Sequence, residues 1–151
     1  MPKRAQCFAY LRTSSAANID GDSPHRQGAA IEGYAKSNGL AVSACFYDAA
    51  VSGADPIESR HGFNALLSAI ESNGVRTVIC EDASRFARSV IAQELGVLAL
   101  IKRSVTLLTA SGEELTATDD PARVMMRHVA GSFAEYEKAR LVPKLKAARD
   151  R

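Results

Sequence analysis

The chain has no long hydrophobic run. No apolar stretch approaches the ~20 residues that a membrane-spanning helix needs, and none near the start has the form of a secretory leader. No membrane partner is expected, and the cytoplasm is the expected location. Cysteine is scarce and odd in number: Cys7, Cys45 and Cys80, with no C-x-x-C pair. That pattern argues against a zinc ribbon or a disulfide framework. Each cysteine sits in or beside an apolar run and is read as a small buried core residue. His25, His61 and His128 fall in separate segments and make no convincing Ser-His-Asp triad. No group of carboxylates and histidines has metal-ligand spacing, and there is no G-x-x-x-x-G-K-[ST] phosphate loop. Neither a metal nor a cofactor is expected. Internal repeats and low-complexity tracts are also missing.

What is present is ordinary for one globular domain: 151 residues, 46% hydrophobic and 24% charged. Apolar runs over residues 6–12, Ala41–Tyr47, Val75–Cys80 and Val105–Thr109 read as strands. Between them lie helical patterns. Ser23-Pro24 reads as a capped helix start, Ala30, Ile31, Tyr34 and Ala35 follow at helical spacing, and Gly39 ends that helix. Asp48 to Ser59 reads as a loop. Phe63, Leu66, Leu67 and Ile70 mark an amphipathic helix closed by Asn73-Gly74, and Ile91, Leu95, Leu98 and Ile101 mark another. Asp82 to Arg88 is polar and basic. Asp120-Pro121 starts a last helix, with Val124, Met125, Val129, Phe133 and Tyr136 along one side. It is too long for one small domain to cover, so part of that stripe is expected to pack on another subunit. Pro143 predicts a kink or a break.

Strand and helix alternation implies an α/β fold: a mostly parallel four- to five-stranded sheet flanked by helices, with a long C-terminal helix. We divide the chain into a catalytic α/β part, 1–118, and the long helix, 119–151. Net charge is only +2, but residues 138–151 carry +5 and the rest −3. A basic end with Lys138, Arg140, Lys144 and Lys146 suits a phosphate backbone.

The chemistry is expected at the carboxyl ends of the strands, where open α/β sheets bind ligands. The first strand ends in Tyr10-Leu11-Arg12-Thr13-Ser14-Ser15. Arg60 follows the second strand, and Arg85 and Arg88 the third. Singly, each arginine is a surface cation. Four at one topological position call for an anion, and the guanidinium fork matches phosphate oxygens. Ser14 is then the candidate nucleophile on a phosphodiester. The fixed cations would stabilise charge growing on the non-bridging oxygens. His61, beside Arg60, is the histidine best placed for a minor acid–base role.

These residues resemble the catalytic domain of the serine site-specific recombinases, the resolvase and invertase group. The likeness rests on Tyr10, Arg12 and Ser14 with Gln27 downstream, and on Asp48, Ser52 and Gly53. It also rests on Arg60 before a glycine and a helix, on the Arg85/Arg88 pair, and on Ala134-Glu135-Tyr136-Glu137. The resemblance implies cutting and rejoining of DNA through a covalent 5′-phosphoserine intermediate, without ATP or metal. It implies Ser14 as nucleophile, Arg12, Arg60, Arg85 and Arg88 around the phosphate, and Tyr10, Gln27, Asp48 and Ser52 in support. It implies double-stranded DNA as partner, a homodimer, and a tetramer in the synaptic complex. It also implies a separate DNA-binding domain after the long helix, expected to be absent from this chain. Ser84 stands where the family usually has Asp, so Asp82 or Glu81 is a candidate substitute. His61 stands where Pro is common. The rival readings are a catalytically weakened assembly module of the same fold and a small phosphate-ester hydrolase.

Overall fold

The computed structural model describes residues 5–13, 22–49, 59–87, 89–117 and 119–149. In order these form β1 (Ala5–Arg12), α1 (Asp22–Ser37), β2 (Leu40–Asp48), α2 (His61–Asn73), β3 (Thr77–Cys80), α3 (Ala83–Phe86), α4 (Val90–Lys102), β4 (Thr106–Thr109) and α5 (Pro121–Arg149). The strands make one parallel sheet in the order β2-β1-β3-β4. The chain leaves β1 for β2 on one side and returns to β3 on the other. The crevice at the carboxyl ends of β1 and β3 is therefore the topological switch point.

Period-two alternation along β1 divides the core. Cys7, Ala9 and Leu11 face α1 with Ile31, Ala35 and Ile79. Phe8 and Tyr10 face the opposite layer, with Phe63, Leu66 and Ile70 of α2, Phe86, and Ala92, Val97 and Leu100 of α4. Tyr10, Phe63 and Phe86 meet edge to face, with ring centroids 5.6 to 5.9 Å apart.

An irregularity in β2 decides which face its end presents. Cys7 pairs with Val42, but Phe8 pairs with Ala44, leaving Ser43 as an extra residue. One inserted residue flips every later side chain to the other face. Arg12 consequently pairs with Asp48, and Phe46 lies beside Phe8.

Several sequence expectations need correction. Helix α1 begins at Asp22, so Ser23 lies inside the first turn rather than at the cap; Pro24, also in that turn, lacks only a donor that would have had no partner there. β3 and β4 start later than the apolar runs suggest, at Thr77 and Thr106. The polar segment after β3 contains a one-turn helix, α3, capped by the Asp82 carboxylate, which accepts from the Arg85 amide at 2.9 Å. Cys7 and Cys80 are buried as expected, but Cys45 is exposed because β2 is an edge strand. The stripe Ile91, Leu95, Leu98, Ile101 is only half-buried. The deep face of α4 is Ala92, Gly96, Val97 and Leu100, because α4 lies between the sheet layer and α5. Pro143 does not end α5, which runs on to Arg149: a proline removes a single backbone donor, and the helix continues past it.

Helix α5 is fastened by an ion pair that sequence patterning does not reveal. Arg127 Nε donates to Glu94 Oε2 at 2.8 Å, with both side chains 4% exposed. Its other nitrogens reach the carbonyls of Leu115 (3.1 Å) and Ala117 (3.5 Å). The opposite side of α5 stays open: Met125 and Tyr136 are each 61% exposed, and Val129 and Phe133 are also exposed. Val124 is half-buried on the inner side. Among the described residues no helix is long and apolar enough to cross a membrane.

Candidate active site

Five polar or charged side chains are drawn into the switch-point end of the molecule and buried there: Tyr10, Arg12, Gln27, Asp48 and Arg60. Buried charge survives only when paired or hydrogen-bonded, and each of these groups is.

Asp48 is the hub. Its Oδ2 accepts from the Tyr10 hydroxyl at 2.7 Å and from the Phe63 amide at 3.0 Å, and its Oδ1 accepts from the Gly62 amide at 2.7 Å. The two amides are orphan donors at the N-terminus of α2, where a carboxylate also meets the favourable end of the helix dipole. Arg60, at the cap position, makes no side-chain cap bond, so a residue twelve positions upstream caps this helix. Gly62 is required by that arrangement: a Cβ would stand 2.8 Å from the Tyr47 carbonyl and 2.9 Å from the Asp48 carboxylate. Burial, reinforced by the Asp48 hydrogen bond, pushes the Tyr10 phenol well above its ordinary pKa, so it stays a donor.

Arg12 and Arg60 converge on α3. Arg12 Nε donates to the Arg85 carbonyl at 3.1 Å and Nη2 to the Ser84 carbonyl at 2.7 Å. Arg60 Nη1 donates to the Phe86 carbonyl and lies 3.4 Å from the Tyr10 hydroxyl. A helix of one turn leaves all but its first carbonyl, which accepts from the Ala87 amide, without helical partners. Two buried guanidiniums, one from the end of β1 and one from the residue before α2, supply donors to three successive carbonyls, those of Ser84, Arg85 and Phe86. This sets the position of Arg85, whose own guanidinium stays partly open to solvent.

The backbone leading to Ser14 is clasped just as firmly. The Gln27 side chain accepts from the Arg12 amide at 3.3 Å and donates to the Arg12 carbonyl at 3.1 Å. The Thr13 amide donates to the Asp48 carbonyl at 3.1 Å, and its hydroxyl is 2.9 Å from the Tyr47 hydroxyl.

The structure thus brings together Tyr10, Arg12, Gln27, Asp48, Arg60 and Arg85, with Asp82 at the start of α3. Ser14, Ser52 and Arg88 lie outside the described residues. Burial by itself raises the Asp82 pKa, but the Ser84 hydroxyl (2.5 Å), the Arg85 amide and the Arg85 charge outweigh it and hold the carboxyl below its ordinary range. His61 is exposed at the first position of α2. Lys138 and Arg140 are exposed on α5, with Arg140 3.0 Å from Glu137; Lys144 and Lys146 lie on the same helix, their side chains outside the described set. Sequence reasoning missed Tyr47 and Arg26, and it named Glu81 only as a candidate substitute for the family Asp, not as a partner of two arginines. Tyr47 carries no motif, and Arg26 and Glu81 meet only because α1 passes the end of β3.

A profile of the family described as "Resolvase, N terminal domain" matches residues 7–151. Among solved structures, the N-terminal catalytic domain of TP901-1 integrase superposes with a TM-score of 0.66 at 23% identity, covering 89% of this chain and 97% of that one. A resolvase family site-specific recombinase from Streptococcus pneumoniae gives 0.64 at 23% identity, covering 97% of each chain. A serine recombinase from Sulfolobus solfataricus gives 0.55 at 22%, covering 90% of this chain and 85% of that one. No curated protein matches the sequence. The chain belongs to the resolvase N-terminal domain family and is a site-specific recombinase catalytic domain, an enzyme that acts on DNA.

Proposed function

We propose that this domain cuts and rejoins DNA with Ser14 as the nucleophile. The Ser14 oxygen forms a bond to phosphorus, the bond from phosphorus to the 3′ oxygen breaks, and a proton passes to that oxygen. The 5′-phosphoserine ester retains a phosphodiester's energy, so the reverse attack by a 3′ hydroxyl reseals the strand without ATP. One observation supports this above the others: Arg12, Arg60 and Arg85 meet around α3 at the switch point, beside the clasped Arg12-Thr13 backbone that leads into Ser14. Preorganised cations aimed at the charge developing on phosphate are the main device such a reaction needs. Arg85 and Arg88 hold the phosphate. Arg12 and Arg60 add fixed positive charge and hold the α3 turn that presents Arg85. Tyr10, Gln27, Asp48, Ser52 and Asp82 support the site.

The exposed stripe Met125, Val129, Phe133 and Tyr136 forms the subunit contact of a dimer, and two dimers join DNA sites as a tetramer. The basic end of α5, with Lys138, Arg140, Lys144 and Lys146, follows the DNA backbone. The cytoplasm is the place of action, and the α/β part and the long helix divide near residue 118.

Incubation with duplex carrying the target site, followed by denaturing gels, tests the assignment. Ser14→Ala is expected to abolish the covalent adduct while the fold persists, and Arg85→Ala to slow its formation by about 10²–10³-fold. An adduct that survives in Ser14→Ala would assign the nucleophile elsewhere.

A further inference from the structure

Beside the buried network lies a second cluster that motif spacing does not reveal. Glu81, the first residue after β3, places Oε1 3.4 Å from Nε of Arg85 and 3.4 Å from Nη2 of Arg26 on α1. One carboxylate oxygen is thus shared by two guanidiniums from different elements. The Glu81 side chain is 15% exposed and that of Arg85 24%, whereas Arg26 is 57% exposed. Fully exposed pairs contribute little to stability, but a largely buried carboxylate is screened much less and holds its partners' directions better. Arg26 also adjoins Gln27, whose amide clasps the Arg12 backbone. Helix α1 is therefore tied to the end of β1 by Gln27 and to the end of β3 by the residue before it, Arg26.

We propose that Glu81 is the positioning residue for Arg85, and that through the same oxygen it brings Arg26 to the DNA-facing rim of the site. This rests on the recombinase reading given above. Arg85 is held at its backbone by Arg12 and at its Nε by Glu81. Its terminal nitrogens then point along one direction instead of sampling many. The two arginines and one carboxylate leave a net charge of +1 at the rim. Glu81 therefore costs DNA affinity through like-charge repulsion with phosphate and returns it as orientation in the bound complex.

That opposition provides a test which a merely structural role would not satisfy. In Glu81→Gln, duplex affinity is expected to stay equal or tighten, because a negative charge has been removed. Conversion of bound duplex to phosphoserine adduct is expected to slow by about tenfold or more, since small misplacements of a reacting group are costly. The thermal midpoint should stay close to that of the parent. Equal conversion rates in parent and variant would overturn the proposal. A second arm needs no DNA: the Arg85 Nε–Hε resonance of the free protein should move in Glu81→Gln and also in Arg26→Ala. A resonance unmoved by Glu81→Gln would equally overturn it. A parent protein that forms no adduct would sink the recombinase chemistry and leave the resonance to decide the role of Glu81.

Discussion

Asp48 serves three elements at once. It ends β2, caps α2 through the Gly62 and Phe63 amides, and receives the Tyr10 hydroxyl from β1. A methyl group at residue 62 would collide with both the carboxylate and the Tyr47 carbonyl, neither of which can move without breaking a cap or a ladder. Gly62→Ala is expected to destabilise the domain by about 1–3 kcal/mol, read from chemical denaturation. Asp82 gives the residue-scale pH dependence. Its folded pKa is depressed, so its contribution is complete above the ordinary carboxylate range and fades as pH falls through the lower folded value. A carboxyl-carbon titration should show a midpoint below that of an unperturbed aspartate. Ser84→Ala should move that midpoint upward, and an unchanged midpoint would remove the hydroxyl as its cause.

At the scale of elements, the bond between α4 and α5 is the informative one. The inner side of α5 is small and polar where it meets the body, and the Glu94–Arg127 pair, with two carbonyls, takes the place of an apolar contact. Removing one partner leaves an uncompensated buried charge, which outweighs the modest net worth of the pair. Arg127→Ala is expected to cost about 3 kcal/mol, whereas a simultaneous Glu94→Leu change should restore most of that loss. Thermal unfolding of the single and double variants checks this. The one-turn α3 behaves differently. It is held by Asp82 at its start and by Arg12 and Arg60 at its carbonyl end, so its geometry belongs to the site more than to its own sequence.

For the whole molecule, the contrast is between a closed α/β body and an open α5. Met125, Val129, Phe133 and Tyr136 leave one side of that helix apolar and uncovered, which a monomer of this size rarely tolerates without a partner surface. Phe133→Glu is expected to shift sedimentation toward the monomer while leaving the melting of the body within a few degrees. A dimer that persists in this variant would move the subunit contact elsewhere. Charge follows the same division. The last fourteen residues carry +5 on a body of −3, so DNA affinity should fall steeply with salt.

Much of this was written in local pattern. The alternation of strands and helices, the capping of α5 at Asp120-Pro121, the left-handed stop at Gly74 and the arginines at strand ends all follow from propensities and periods that act over a few residues. The resemblance in the motifs named the right family for the same reason. Tertiary structure alone decided the rest, because it depends on which distant segments meet. The extra residue at Ser43 turns Asp48 toward Tyr10. Arg12 and Arg60 find the carbonyls of α3. Glu94 becomes tolerable in the core only when α5 brings Arg127, and Glu81 gains two arginines only when α1 crosses the end of β3. Short-range rules report what a residue prefers, whereas a buried charge is settled by the partner that the fold delivers to it.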